Sequence, residues 1–214
     1  MKCKICDHDT RDFFAPIVKT AYSHCPNCEF ISMHKEFKMT PDEEMKRYGL
    51  HNNTLDDPRY VSYLEKFIKN AVMPYRNGKK SALDFGSGPE AALAEILIKK
   101  YDLSVDVFDI YFANDQGFKK RKYDIIVCTE VIEHIEEPLE TFKLFYDLLN
   151  KDGILAVMTH FHKNDDEHFL KWHYIRDRTH TSFFSLKTLE VVSKQANLHV
   201  LFTDGVKMIT FVRK

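Results

Sequence analysis

Ser81-Ala-Leu-Asp84-Phe85-Gly86-Ser87-Gly88-Pro89-Glu90-Ala91 is the stretch whose reading decides the fold. The apolar run 82–85 reads as a strand and 89–100 as a helix, and the two glycines between them let the backbone bend sharply and approach a ligand at a distance a Cβ would forbid. Toward the C-terminus the same alternation continues. Residues 105–108 and 125–128 read as strands, 138–149 as an amphipathic helix and 153–158 as a further strand. Alternating strands and helices imply a parallel sheet covered by helices on both faces. The chain ends differently: 198–203 and 206–212 read as two strands joined by Asp204-Gly205. A two-residue connection makes an antiparallel hairpin, because a parallel crossover needs a dozen residues or more. The expectation is a doubly wound α/β sheet with a terminal antiparallel hairpin.

Toward the N-terminus, Tyr60, Val61, Tyr63, Leu64, Phe67 and Ile68 repeat at helical spacing, and this helix ends near Asn77-Gly78. Turn formers fill 51–58. Thr40 followed by Pro41-Asp-Glu-Glu is an N-cap, a first-turn proline and first-turn acids, which predict a helix to about Tyr48. Ahead of it, Cys3-x2-Cys6 and Cys25-x2-Cys28 have the paired-knuckle spacing of a structural zinc site. Two disulfides are the alternative, disfavoured in a reduced compartment. Phe13, Phe14, Ile17, Val18 and Tyr22 alone are too few to stabilise this segment, and a bound ion would supply what is missing. Four thiolates leave no open position, so the ion would be structural; His8 and His24 are weaker substitute ligands. Cys128 lies in an apolar run and reads as a small buried hydrophobe. The expected organisation is a small zinc ribbon over 1–40, a helical connector over 41–77 and a main α/β domain over 78–214.

Composition narrows the function. With 214 residues, 44% hydrophobic and 29% charged, the chain is neither disordered nor coiled-coil. Lys+Arg total 31 against Asp+Glu 32, a formal charge of −1, so no overall positive field recruits nucleic acid or anionic lipid. Residues 1–40 balance few bases against a similar number of acids, which argues against a nucleic-acid finger. No run reaches the roughly 18 apolar residues of a membrane span, and Met1-Lys2-Cys3-Lys4 opens no apolar leader. A cytoplasmic protein with no membrane partner is expected.

Asp109 ends the second strand, where a carboxylate can accept from ribose hydroxyls. Gly86-x-Gly88-x-x-Ala91 with an acid further on would equally suit a dinucleotide. Two features favour S-adenosylmethionine: Asp84 inside the turn would repel a pyrophosphate but suits the cationic methionine portion, and the terminal hairpin departs from an all-parallel dinucleotide sheet. On 83–88, Asp109, Tyr123-Asp-Ile-Ile-Val-Cys-Thr129-Glu130-Val-Ile-Glu133-His134 and 149–155, the sequence resembles the class I S-adenosylmethionine-dependent methyltransferases, Rossmann-like enzymes, over about 78–214. The resemblance implies that Asp84, Gly86 and Gly88 wrap the methionine part, Asp109 holds the ribose, and Thr129 and Glu130 flank the cofactor. Arg47-Tyr48-x2-His51-x-Asn53, Met158-Thr159 and Trp172-His-Tyr-x2-Asp177-x-Thr179-His180-x2-Phe183-Phe184 look like a bacterial branch that also carries an N-terminal CxxC pair. Two departures stand out: the family's frequent third glycine is Glu90, and only 13 residues separate Asp109 from Tyr123, so the usual third strand must be shortened or absent. Residues 113–115 are the expected part of the adenine wall.

For the chemistry, Glu130, Glu133 and His134 at i, i+3 and i+4 would share one face of a helical turn. This resembles the ExxEH element of ubiquinone-pathway O-methyltransferases and of small-RNA 2′-O-methyltransferases, in which a further histidine before an aromatic helps hold Mg²⁺; His180 would take that role. The alternative, which the sequence favours, is that Glu133 and His134 only orient the loop. His160, His162, His168, His173 and His180 concentrate after the fifth strand with Trp172 and Tyr174, which reads as a substrate lid rather than a solvated loop. His180 is the first choice for a base and His134 the second. Arg176 and Arg178 could bind an anion, and His51 and Asn53 could fold over the cofactor. The expected activity is methyl transfer to a small molecule; the alternatives are an RNA-modifying or nucleic-acid-binding module using the ribbon, and an inactive cofactor-bound scaffold.

Overall fold

The computed structural model describes residues 1–49 and 54–214, so His51 and Asn53 lie outside the described residues. The chain opens with three short strands, β1 (Arg11–Ala15), β2 (Thr20–His24) and β3 (Ile31–Met33), paired antiparallel in that order. Helix α1 (Pro41–Tyr48) follows Thr40, whose backbone amide and hydroxyl both donate to the Glu43 carboxylate at 2.8 and 2.9 Å. Helix α2 (Pro58–Phe67) starts at Asp57, which accepts from the Arg59 amide, and runs into a π-helical turn over Ile68–Val72.

The α/β part then unfolds as β4 (Ser81–Phe85), α3 (Ala92–Tyr101), β5 (Ser104–Phe108), β6 (Tyr123–Thr129), α4 (Pro138–Leu148) and β7 (Leu149–Met158). A connection with the short α5 (Asp166–Lys171) leads to β8 (Ser182–Phe183), α6 (Leu186–Gln195), β9 (Leu198–Thr203) and β10 (Met208–Arg213). The large sheet has the order β5-β4-β6-β7-β10-β9. β5, β4, β6 and β7 are mutually parallel, and β10 is antiparallel to both β7 and β9. This is the expected Rossmann-like sheet with its terminal hairpin. Among the described residues no strand lies beyond β5; the connection from 109 to 122 holds only a bridge between Asp109 and Ala113 and a 3-10 turn over Gln116–Lys120.

The sheet buries both faces with period two, as a parallel sheet must. Ile125, Val127, Ile154, Ala156 and Met158 face α2 and α3, while Ile126, Cys128, Leu155 and Val157 face α4 and α6. Cys128 is fully buried, the small hydrophobe expected.

Two details differ from the sequence reading. The hairpin turn spans 204–207, not two residues, because the Asp204 carboxylate accepts the amides of Val206, Lys207 and Met208 and holds an extra loop before β10. Helix α3 begins at Ala92 rather than Pro89, since Ala91 adopts φ +45° and keeps 89–91 in the loop. The small sheet also gains a strand from far along the chain: β8 pairs with β3 through Ile31 with Phe183 and Ser32 with Ser182. Cys3, Ile5, Cys25, Cys28 and Phe30 join the same apolar cluster as Leu83 and Phe184, so the ribbon is packed on the main sheet as well as on itself. No helix among the described residues is long and apolar enough to cross a membrane.

Candidate active site and cysteine cluster

Consecutive parallel strands leave β4 in opposite directions, toward β5 and toward β6, which opens a crevice at their carboxyl ends. A cavity of ≈ 720 Å³ occupies it. Asp84, Gly86, Gly88, Asp109, Thr129 and Glu130 all line this cavity, together with His134 and His180. Residues that sequence reasoning did not place there also line it: Tyr60 and Tyr63 from α2, Glu44 and Tyr48 from α1, and Ile110, Tyr111 and Phe112. Tyr60 and Tyr63 carried a signal, being one helical turn apart on the half-polar edge of an amphipathic helix.

Gly86 has φ +83° and Gly88 +67°. A Cβ on Gly86 would lie 2.2 Å from Val131 Cγ2, so the loop can pass under Val131 only as glycine. Gly86→Ala is expected to lose cofactor affinity at least tenfold and to destabilise the fold, read by calorimetry and thermal melting; unchanged behaviour in both would show that the loop does not need this path. The Asp109 carboxylate accepts from the Gly88 amide at 2.9 Å on one oxygen and from the Tyr111 and Phe112 amides at 2.9 and 3.1 Å on the other. It ties the glycine loop to the turn beyond β5. The wall expected at 113–115 is absent from the cavity: the Asp109 and Ala113 main chains exchange hydrogen bonds and fold that stretch away, leaving Ile110, Tyr111 and Phe112 at the rim.

Asp84 is 1% exposed and accepts from the Ala94 amide at 3.2 Å. Burial, with the Asp109 charge adding, raises its carboxyl to about 7. Glu130 adopts φ +52°, which breaks the helical turn the ExxEH spacing suggested. Only Ile132–His134 is helical, as a single 3-10 turn. Glu130 therefore points elsewhere, accepting from Tyr63 Oη at 2.5 Å, with its other oxygen 3.2 Å from Tyr174 Oη.

Glu133, His134 and His180 do converge: one ligand atom of each lies within 4.8 Å of the others. The His134 Nδ1–H donates to the Thr179 carbonyl at 3.0 Å and the His180 Nδ1–H to the Tyr174 carbonyl at 2.9 Å. Each bond makes Nε2 the lone-pair nitrogen of the neutral ring, the arrangement outer-shell carbonyls impose on metal-binding histidines. Burial, then the neighbouring His180, lowers His134 to about 3, so its ring is neutral at ordinary pH. Glu133 is fully buried; Tyr174 Oη donates to its Oε1 at 2.5 Å, and its Oε2 has no hydrogen-bond partner among the described residues. Burial first, and the Glu130 charge second, push its carboxyl well above the usual range.

The other lid histidines divide. Among the five, only His180 lines the cavity. His162 Nε2–H donates to the Glu29 carbonyl at 2.9 Å, and His160 and His173 pack around the Tyr174 ring or each other. Phe169, Tyr174, Ile175 and His180 are buried, so this connection is a packed segment, not a solvated loop. Arg176 and Arg178 are exposed and line no part of the cavity.

Away from the cavity, Cys3, Cys6, Cys25 and Cys28 bring their sulfurs within 4.8 Å of one another, with Cys3–Cys28 and Cys6–Cys25 at 3.5 Å. A tetrahedral zinc about 2.3 Å from each sulfur sets the sulfurs about 3.8 Å apart, so the donor set fits. The Ile5 and Cys28 amides and Asn27 Nδ2 donate to these sulfurs at 3.4 to 3.5 Å. His24 is not in the cluster; its Nδ1 meets Arg11. The four cysteines fit a zinc-binding segment.

Comparison with known proteins agrees with this geometry. A family model described as a methyltransferase domain matches residues 59–202, starting within α2. A search of curated proteins returns no match. Solved structures similar to the chain include an O-methyltransferase family protein from Burkholderia thailandensis (12% identity, 72% of this chain and 56% of that one, TM-score 0.55). CalO1, a methyltransferase of calicheamicin biosynthesis in its SAH-bound form, matches at 14% identity, 73% and 55% coverage and TM-score 0.52. A third is a complex of the Haloferax volcanii Trm112 methyltransferase activator with a protein assigned as a methyltransferase (16% identity, 82% and 99% coverage, TM-score 0.57). The chain spans a little over half the length of the first two. With the family model covering 59–202 and the sheet order, glycine loop and strand-end cavity described above, the chain belongs to the methyltransferase-domain family and has the class I S-adenosylmethionine-dependent fold.

Proposed function

We propose that this chain transfers a methyl group from S-adenosylmethionine to an oxygen of an uncharged or cationic small molecule. One observation carries the reading: the six residues assigned to the cofactor from sequence line a single cavity that His134 and His180 also line. When bound, S-adenosylmethionine supplies an electrophilic methyl carbon on a sulfonium. Gly86 and Gly88 give the backbone path beside it, Asp109 accepts from the ribose hydroxyls, and Asp84 faces its cationic methionine end. Thr129 and Glu130 flank it.

The cavity lining contributes Glu44, Asp84, Glu90, Asp109, Glu130, Glu136 and Asp177 but no Lys or Arg among the described residues. Of these, Glu136 is paired with Lys4 and Lys38 and Asp177 with Arg47; the other acids disfavour phosphate and carboxylate groups and favour a small acceptor over RNA. Tyr48, Tyr111 and Phe112 offer ring faces for an aromatic or cationic body. Glu133, His134 and His180 would hold a divalent cation that fixes an acceptor oxygen; two imidazoles and one carboxylate suit manganese, iron, cobalt or zinc better than magnesium. The buried Glu133 Oε2, which meets the geometry of no hydrogen bond among the described residues, supports this over a purely loop-orienting role. With labelled S-adenosylmethionine, transfer is expected to neutral hydroxyl acceptors and not to bulk RNA; labelled RNA at comparable rates would overturn the acceptor class.

Asp84 gives the reaction a pH signature. With its carboxyl at about 7 in the free protein, it is half protonated at neutral pH, and a cation beside it favours the carboxylate. Affinity for S-adenosylmethionine is therefore expected to rise as pH increases from 5 to 7, up to about tenfold per unit, and to level off above 8. Asp84→Asn removes the titrating group and is expected to give a weak, flat profile. Calorimetry across pH checks this; a flat profile in the unaltered protein would exclude Asp84 as the cation's partner.

A further inference from the structure

We infer that the cysteine ribbon positions the Glu133, His134 and His180 cluster, and that the strap formed by Thr179, His180 and Thr181 is the coupling element. Three consecutive residues of this strap tie the cluster together. The Thr179 carbonyl accepts from His134 Nδ1–H, His180 is itself a member, and the Thr181 amide donates to the Glu133 carbonyl at 2.8 Å. The other side of the same residue belongs to the ribbon: the Thr181 carbonyl accepts from the Met33 amide at 2.8 Å. From there the strap continues directly into β8, the strand that completes the small sheet against β3.

The ribbon strand is in turn set by the second cysteine knuckle. The Cys25 amide donates to the Phe30 carbonyl at 2.9 Å just before β3, and the Glu29 amide returns to the Cys25 carbonyl at 2.9 Å. Beyond β8 the chain is fastened to the knuckle again: Thr188 Oγ1 donates to the Cys28 carbonyl at 2.8 Å, and Ser185 Oγ to the Glu29 carboxylate at 2.7 Å. Thr181 and Thr188 are both buried, so these bonds are made away from competing water. The cluster thus sits between two rigid anchors, the end of β6 on one side and the cysteine knuckle on the other. A knuckle that opens releases β3, then the strap, then the imidazoles. The cofactor half of the cavity is held by other bonds: Asp84 by the Ala94 amide of α3, Asp109 by the Gly88 amide, and the Gly86 amide by the Phe108 carbonyl of β5.

The functional consequence rests on the methyl-transfer reading above; the positioning itself does not. Histidine ring resonances, assigned by single-site substitution, are to be recorded for the native zinc-loaded protein, for protein stripped of zinc and for Cys25→Ser, with S-adenosylhomocysteine affinity measured on the same samples. Zinc loss is expected to shift or broaden the His134 and His180 resonances while affinity stays within about threefold. Thr188→Val, which keeps all four thiols and removes the hydroxyl bonded to the Cys28 carbonyl and to the Ser185 amide of the α6 cap, is expected to shift the same resonances by less and serves if Cys25→Ser does not fold. Unchanged His134 and His180 resonances after zinc loss, or in Thr188→Val should Cys25→Ser fail to fold, would overturn the positioning role. Failure of the native protein to bind S-adenosylhomocysteine would instead sink the methyl-transfer reading and leave the coupling standing.

Discussion

Glu133→Gln and His180→Ala are each expected to lower methyl transfer by about 10²–10⁴-fold while leaving S-adenosylhomocysteine affinity within about threefold. Glutamine keeps an oxygen for Tyr174 Oη but removes the charge that a cation between Glu133, His134 and His180 would need. Alanine at 180 deletes one of the two ring nitrogens and leaves the Tyr174 carbonyl without its donor. His134, lowered to about 3 by burial and by His180, is too weak a base to take a proton near neutrality, so the role expected of its ring is that of a lone-pair donor to a cation or an acceptor hydroxyl. Chelation should abolish turnover, with manganese or zinc restoring it better than magnesium. Steady-state kinetics on the variants and on chelated protein is the check; full activity in Glu133→Gln would remove the cluster from the chemistry.

Loss of a cysteine should be felt across the whole molecule. Cys3→Ser is expected to release zinc, measured as about one ion per chain in the native protein, and to lower the melting temperature by about 10–20 °C. That range corresponds to about 5 kcal/mol for a chain of this size, less than the ~10–16 kcal/mol a zinc-finger peptide gains from its ion. The smaller figure follows from packing: Cys3, Cys25, Cys28 and Phe30 lie in the main apolar cluster, so part of the ribbon's stability comes from α4, α6 and the large sheet. A native protein without zinc, or a variant that melts where the native one does, would contradict the assignment.

The strands, helices and glycine loop were legible because each carries its own local period. β4, β6 and β7 are short apolar runs bounded by breakers, and the Gly86 and Gly88 positions require positive φ wherever this turn occurs. The missing strand beyond β5 followed from arithmetic on chain length. What escaped depends on contacts between distant residues. β8 is two residues long and exists only because β3, 150 residues earlier, offers it an edge. The turn before β10 lengthens through one carboxylate accepting three amides. Glu130 has the right spacing for a shared helical face but the wrong backbone, because φ +52° interrupts the turn; Tyr63 and Tyr174 then take its carboxylate. The aromatic wall at Tyr111 and Phe112 follows from the Asp109 carboxylate holding both amides, a bond that residue type and spacing do not announce.

The most direct measurement is a calorimetric titration of the purified, zinc-loaded protein with S-adenosylhomocysteine, repeated on Asp109→Ala. One site per chain is expected, and the variant should bind at least a hundredfold more weakly: about two charge-assisted hydrogen bonds to ribose are lost at ~1.5–3 kcal/mol each, and the Gly88 amide loses its anchor. Absence of binding in a folded native protein, or equal affinity in both proteins, would contradict the placement of the adenosyl donor in the crevice at the ends of β4 and β5.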